Sequence, residues 1–127
     1  MILGIGCDII ESERIERLLT ETEKTGRIFT ESERKYCEGK GKERTASYAA
    51  RFAAKEAAAK AFGCGIGPVA WTEIETVKET DGAPYFRFYG KAEDLMKKHS
   101  DSKMHLSVSH EKNYAVAYAI WEGGEHA

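Results

Sequence analysis

A chain of 127 residues can bury a core without disulfide or metal staples, and with no Pro- or Ser-rich linker a single domain over 1–127 is expected. Its 19 Lys and Arg against 21 Asp and Glu leave a net charge of -2, which argues against a general nucleic-acid binder and points to local patches for any partner. Cys7, Cys37 and Cys64, odd in number and without CxxC spacing, argue against a disulfide framework and a zinc site and fit a reducing cytoplasm.

Ile2 to Ile10 (ILGIGCDII) reads as a buried strand, too short and too acidic at Asp8 to be a signal peptide or a membrane span. Leu3, Ile5, Cys7 and Ile9 fall on one face, and Gly4, Gly6 and Asp8 share the other with Ile2 and Ile10. Glycines inside a strand mark close approach of a ligand or of another backbone, so Asp8 is expected on an open, roomy face. Ser12 can cap a helix through about Lys24, with Ile15, Leu18 and Leu19 inward and Arg14 and Arg17 outward. Thr30 and Glu33 form a capping box for a short helix ending near Cys37. A polar connection, Gly39 to Lys42, leads into a long helix that reaches Phe62.

That central helix carries the chemistry. Alanine is the best helix former, and no Gly or Pro interrupts the run before Gly63. At about 100° per residue, Phe52, Glu56 and Lys60 share one stripe, while Ala50, Ala53, Ala54, Ala57 and Ala61 make a smooth face that can press on a sheet. A Glu and a Lys one turn apart are most often an ordinary surface pair. Here they lie beside a Phe that favours a cleft wall.

Gly63 to Pro68 lacks the order of a P-loop and reads as a C-cap and turn, with a phosphate cradle in the same glycines compatible with that role. Glu73 to Lys78 and Tyr85 to Tyr89 alternate as a hairpin around Asp81-Gly82-Ala83-Pro84. Gly90 to His99 reads as an amphipathic helix. The strands His105 to His110 and Tyr114 to Trp121 follow, the second setting Ala115, Ala117 and Ala119 against Val116, Tyr118 and Ile120. Residues 122–127 read as a frayed tail.

Three motifs stand in order: Gly4-x-Gly6-x-Asp8, Phe52-x-x-Lys55-Glu56-x-x-x-Lys60-Ala61, and Leu106-Ser107-Val108-Ser109-His110. With Ile9-Ile10-Glu11, Phe29-Thr30 with Glu33 and Tyr36-Cys37, Gly63-x-Gly65-Ile66-Gly67 and Asp81-Gly82-x-Pro84, the set resembles the holo-acyl-carrier-protein synthase family of 4′-phosphopantetheinyl transferases over nearly the whole chain. The resemblance implies an α+β fold, a small antiparallel sheet packed with a long central helix. It implies transfer of phosphopantetheine from coenzyme A to a serine of apo acyl carrier protein, in fatty acid biosynthesis, with 3′,5′-ADP leaving. It further implies Mg²⁺ on Asp8 and Glu56, Glu56 and Lys60 as catalytic residues, and Arg51, Lys60, Gly65 and His110 as coenzyme contacts. Arg14, with Arg17, resembles the basic surface the family presents to its carrier protein, and a homotrimer with sites at subunit interfaces is implied. No membrane partner is expected.

The residue types suit that chemistry independently. Mg²⁺ is usually held by one or two carboxylates, with waters and substrate phosphate completing its shell. A lysine can neutralise charge on the transferred phosphate. Either Glu56 or a metal-bound water can take the serine proton. Two rival readings use the same residues otherwise: metal-dependent phosphate-ester hydrolysis, and a non-catalytic module docking an acidic partner through Arg14, Arg17, Lys24 and Arg27.

Overall fold

The computed structural model describes residues 1–124. The order of elements is β1 (Ile2–Glu11), α1 (Ser12–Leu18), α2 (Thr22–Ile28), α3 (Glu31–Glu38), α4 (Arg44–Phe62), β2 (Ile74–Val77), β3 (Tyr85–Phe88), α5 (Gly90–Lys97), β4 (Lys103–His110) and β5 (Tyr114–Glu122). The expected tail is partly strand, since β5 includes Glu122; residues 125–127 lie outside the described residues. Among those described, no helix is long and apolar enough to cross a membrane.

Three strands form one antiparallel sheet in the order β1-β5-β4, and β2 and β3 form a separate hairpin. The fold is therefore α+β, with α4 lying across β1 and β5. The register puts Gly4, Gly6, Asp8 and Ile10 on the same face as Trp121, Ala119, Ala117 and Ala115. This face is the inner one, and the alanines on it are fully buried against α4, whose own Ala53, Ala54, Ala57 and Ala58 are buried in turn.

Small residues on both sides let the helix backbone reach the sheet. A Cβ on Gly6 would lie 1.8 Å from the Ala57 carbonyl oxygen, and one on Gly4 would lie 1.9 Å from that of Ala61. The expectation of an open face around Asp8 is thus corrected: the glycines admit another backbone, not a ligand. The buried-strand expectation is met on this face only, because Ile5 and Ile9, on the other face, are 70% and 63% exposed.

The single helix expected from Ser12 to Lys24 is two. Ser12 does not cap it by its side chain; Glu11 is the N-cap residue, and the Ser12 N–H donates to the Asn113 carbonyl. Thr20 then turns its hydroxyl onto the Arg17 carbonyl at 2.7 Å, closing α1, and α2 starts at Thr22. The Thr30 capping box forms as expected, with Glu33 returning the bond. Gly63, at φ 83°, ends α4 in the left-handed conformation that glycine adopts without strain.

Candidate active site

Asp8 sits on the inner face of edge strand β1, and α4 carries Glu56 and Lys60 past it on one flank. Lys60 bridges the two elements. Its ammonium donates to the Cys7 carbonyl at 2.9 Å and lies 3.5 Å from an Asp8 carboxylate oxygen. Burial pushes the Asp8 carboxyl above its ordinary value, against the opposing pull of Lys60 and, more weakly, Arg14. Glu56 is raised too, first by burial and then by the Asp8 charge, with Lys60 and Arg14 again opposing. Two half-buried carboxylates therefore repel each other across a gap that Lys60 and Arg14 only partly neutralise. Such a pair attracts a hard cation, and its all-oxygen character suits Mg²⁺. Among the described residues no cluster of three or more metal-ligating side chains exists, so the rest of a cation's shell falls to water and substrate.

Arg51 and His110 meet elsewhere. Five residues separate Arg51 from Glu56, about 140° around the helix, so the guanidinium leaves α4 on a different side. Arg51 is only 6% exposed; it lies over the Tyr36 ring at 4.1 Å and donates to the Ser47 carbonyl at 3.2 Å, while its Nε is buried with no partner. With His110 it lines a cavity of about 320 Å³ whose walls include Tyr36, Lys40, Thr76 and Lys78. The Thr76 hydroxyl is also buried and unpartnered. Cationic walls with unspent donors suit a phosphate-bearing ligand. Asp8, Glu56 and Lys60 do not reach this cavity.

Gly65 lies in the turn after α4 at φ 68°, its N–H committed to the Ala59 carbonyl at 3.1 Å. It borders the helix end as part of the cap. Arg14 and Arg17 are on α1 and line a groove of about 370 Å³ with Ile15, Lys24, Phe52 and Trp71. Arg14 is the nearer of the two to the carboxylates, since its charge is felt at both. Arg17 makes only an exposed 3.5 Å pair with Glu13.

Sequence reasoning did not single out Lys40, Thr76, Lys78 or Trp71, and it noted Tyr36 only as a match to the family's pattern. Their positions follow from how the β2-β3 hairpin and α3 fold over α4, which no local pattern encodes. It also missed that Lys55 is buried, although a lysine among alanines on the sheet-facing helix was a visible anomaly.

A model of the 4′-phosphopantetheinyl transferase superfamily matches residues 4–119. The chain is 44% identical over 128 residues to the holo-(acyl-carrier-protein) synthase of Ruminiclostridium cellulolyticum, covering 98% of this chain and 96% of that one. Its fold matches the crystal structure of the holo-(acyl-carrier-protein) synthase of Bacillus anthracis in complex with CoA (3′,5′-ADP), with a TM-score of 0.81, 41% identity and 98% and 99% of the two chains covered. The synthase of Neisseria meningitidis matches with a TM-score of 0.86 at 35% identity, over 96% and 99%. By motif order, fold and full-length identity, the chain belongs to the holo-(acyl-carrier-protein) synthase family.

Proposed function

We propose that Asp8, Glu56 and Lys60 carry the family's reaction, transfer of the phosphopantetheine arm of coenzyme A to a serine of apo acyl carrier protein with release of 3′,5′-ADP. The observation that carries this reading is the pair of mutually repelling carboxylates, both raised, with Lys60 anchored between strand and helix. Asp8 and Glu56 would hold Mg²⁺, which when bound offsets negative charge on the pyrophosphate. Lys60 faces the phosphorus that carries the arm and stabilises charge as the serine oxygen attacks and the bond to the departing phosphate breaks. The hydroxyl proton must leave, and Glu56 is an acceptor within the chain, its affinity for a proton raised by burial and by Asp8. Arg51 and His110 bind the phosphorylated adenosine end of the coenzyme in their cavity. Gly65 borders the arm.

Arg14, with Arg17, docks the carrier protein. The groove beside them offers apolar surface at Phe52 and Trp71 and cationic surface at its rim, the combination an acidic helical partner requires.

The active assembly in this reading is a homotrimer. The outer face of the sheet exposes Ile5, Ile9, Tyr118 and Ile120 side by side, an apolar patch that a soluble domain covers. His110 lies at its edge, lining a cleft with Ile9, Tyr114 and Val116. Closing that face with a second copy would let one chain's cavity meet another's carboxylates. The three free cysteines suit a cytoplasmic setting.

Mass spectrometry of apo carrier protein incubated with the enzyme, Mg²⁺ and coenzyme A tests the reaction. A carrier protein heavier by one phosphopantetheine is expected. Free phosphopantetheine with unlabelled carrier would mean hydrolysis, and no change in either substrate would mean a binding module.

A further inference from the structure

One ion pair lies where no solvent reaches it, and neither member has a part in the reaction described above. Lys55 is 0% exposed and stands beside Glu56 on α4. Its ammonium is 2.7 Å from a Glu33 carboxylate oxygen and donates to the carbonyls of Trp71, at 3.0 Å, and Ile74. All three of its protons are thus placed. Glu33 is equally occupied, accepting from the Thr30 and Thr76 N–H groups at 2.9 Å each. A buried pair of this kind contributes little net stability compared with apolar side chains of the same volume, because desolvation cancels the attraction. What it does supply is direction: an ammonium with fixed acceptors sets the position of each carbonyl it holds.

The Trp71 carbonyl belongs to the segment between α4 and β2, and the Trp71 ring itself packs on Phe52 of the helix with centroids 4.9 Å apart. Phe52 and Trp71 make the apolar wall of the groove whose rim carries Arg14 and Arg17. Lys55 therefore fastens, from inside, the wall that Arg14 faces from outside.

We propose that Lys55 is a positioning residue for carrier-protein docking, its pair with Glu33 holding the Trp71 segment against α4 so that the groove keeps the shape its partner needs. This rests on the assignment of the α1 groove to the carrier protein. The pair touches neither substrate.

Steady-state kinetics on three variants test it. Lys55→Met combined with Glu33→Gln removes both charges, so that neither is left buried alone. This double variant should raise the carrier-protein KM about tenfold and the coenzyme A KM several-fold less, the latter through the Thr76 N–H that Glu33 holds, while kcat stays within about twofold of wild type. Lys55→Arg keeps the charge, but its longer planar fork displaces the Trp71 carbonyl, and the same selective rise is expected. A folded double variant with a wild-type carrier KM overturns the proposal, as does one in which both KM values rise alike. Should the double variant not fold, a wild-type carrier KM for Lys55→Arg overturns it. Arg14→Glu run in parallel separates the two readings. If it too leaves the carrier KM unchanged, the groove assignment has failed; if it alone raises that KM, only the role of Lys55 has.

Discussion

Asp8 and Glu56 each hold a proton more tightly in the folded protein than an exposed carboxyl does, and this fixes the sign of two measurements. A raised folded value means that the stability these groups contribute is present at low pH and is lost as pH rises through it. Asp8→Asn or Glu56→Gln removes the repulsion between the two groups, so the metal-free variant should melt no lower than wild type at neutral pH. The difference should shrink as pH falls through the ordinary carboxyl range and vanish only near about pH 2, where both carboxyls are protonated in the folded and unfolded chain alike. Transfer activity should be abolished in both, and added Mg²⁺ should raise the melting temperature of wild type only. Near-normal turnover at low Mg²⁺, or a variant melting below wild type at neutral pH, would remove the residue from the metal role. Lys60→Ala tests the phosphate contact. Loss of one such electrostatic stabiliser costs roughly 2–4 kcal/mol, to be seen in kcat, with the carrier-protein KM little changed. A raised KM alone would contradict the assignment. These three residues were legible in the sequence because strand alternation and helical spacing are local rules, and each side chain's direction follows from its own element.

At the scale of elements, the contact that assembles the site is α4 against β1. Gly6→Ala would put a methyl 1.8 Å from the Ala57 carbonyl oxygen, and the opposing atom is backbone, so the helix must move as a body. Overpacking of this kind costs about 1–3 kcal/mol. Denaturant melts should show that loss, accompanied by a fall in transfer activity, because the same displacement separates Glu56 and Lys60 from Asp8. An unchanged midpoint would mean that the helix yields without cost. The break between α1 and α2 keeps Arg14 and Arg17 on a helix that starts beside Asp8 and sends Arg27 onto another. Arg14→Glu should raise the carrier-protein KM, leave the coenzyme A KM nearly unchanged, and weaken the salt dependence of kcat/KM, since screening acts on the lost attraction. A wild-type carrier KM at low ionic strength would place docking elsewhere. Legibility was partial here: the hairpin and the Thr30 box follow from turn and cap chemistry, but the hydroxyl-capped break at Thr20 competes with a helical pattern that runs straight through it.

For the whole molecule, the exposed outer face of the sheet is the feature a lone chain leaves unexplained. Light scattering of the wild-type protein at micromolar concentration should report the mass of three chains. Ile5→Lys, which places a charge in the middle of that face, should shift the mass toward one chain and lower transfer activity while circular dichroism stays unchanged. A stable, active wild-type monomer would defeat both the trimer and the shared site.

The sequence by itself determined most of the elements, through propensity, periodicity and spacing, all properties of short stretches, and the family through the resemblance of its three ordered motifs to that family's pattern. Only the tertiary structure decided which face of β1 is inside. Hydrophobicity favours the side with Ile5, Cys7 and Ile9, yet the glycine side is the buried one, because a helix backbone can close on a strand only where no Cβ intervenes. The tertiary structure likewise decided that Lys55 pairs with Glu33, that Trp71 lies on Phe52, and that Arg51 faces a cavity apart from Glu56. Each is a relation between elements distant in the chain, set by how α3, α4 and the hairpin pack, and that packing depends on surfaces that exist only once the elements have met.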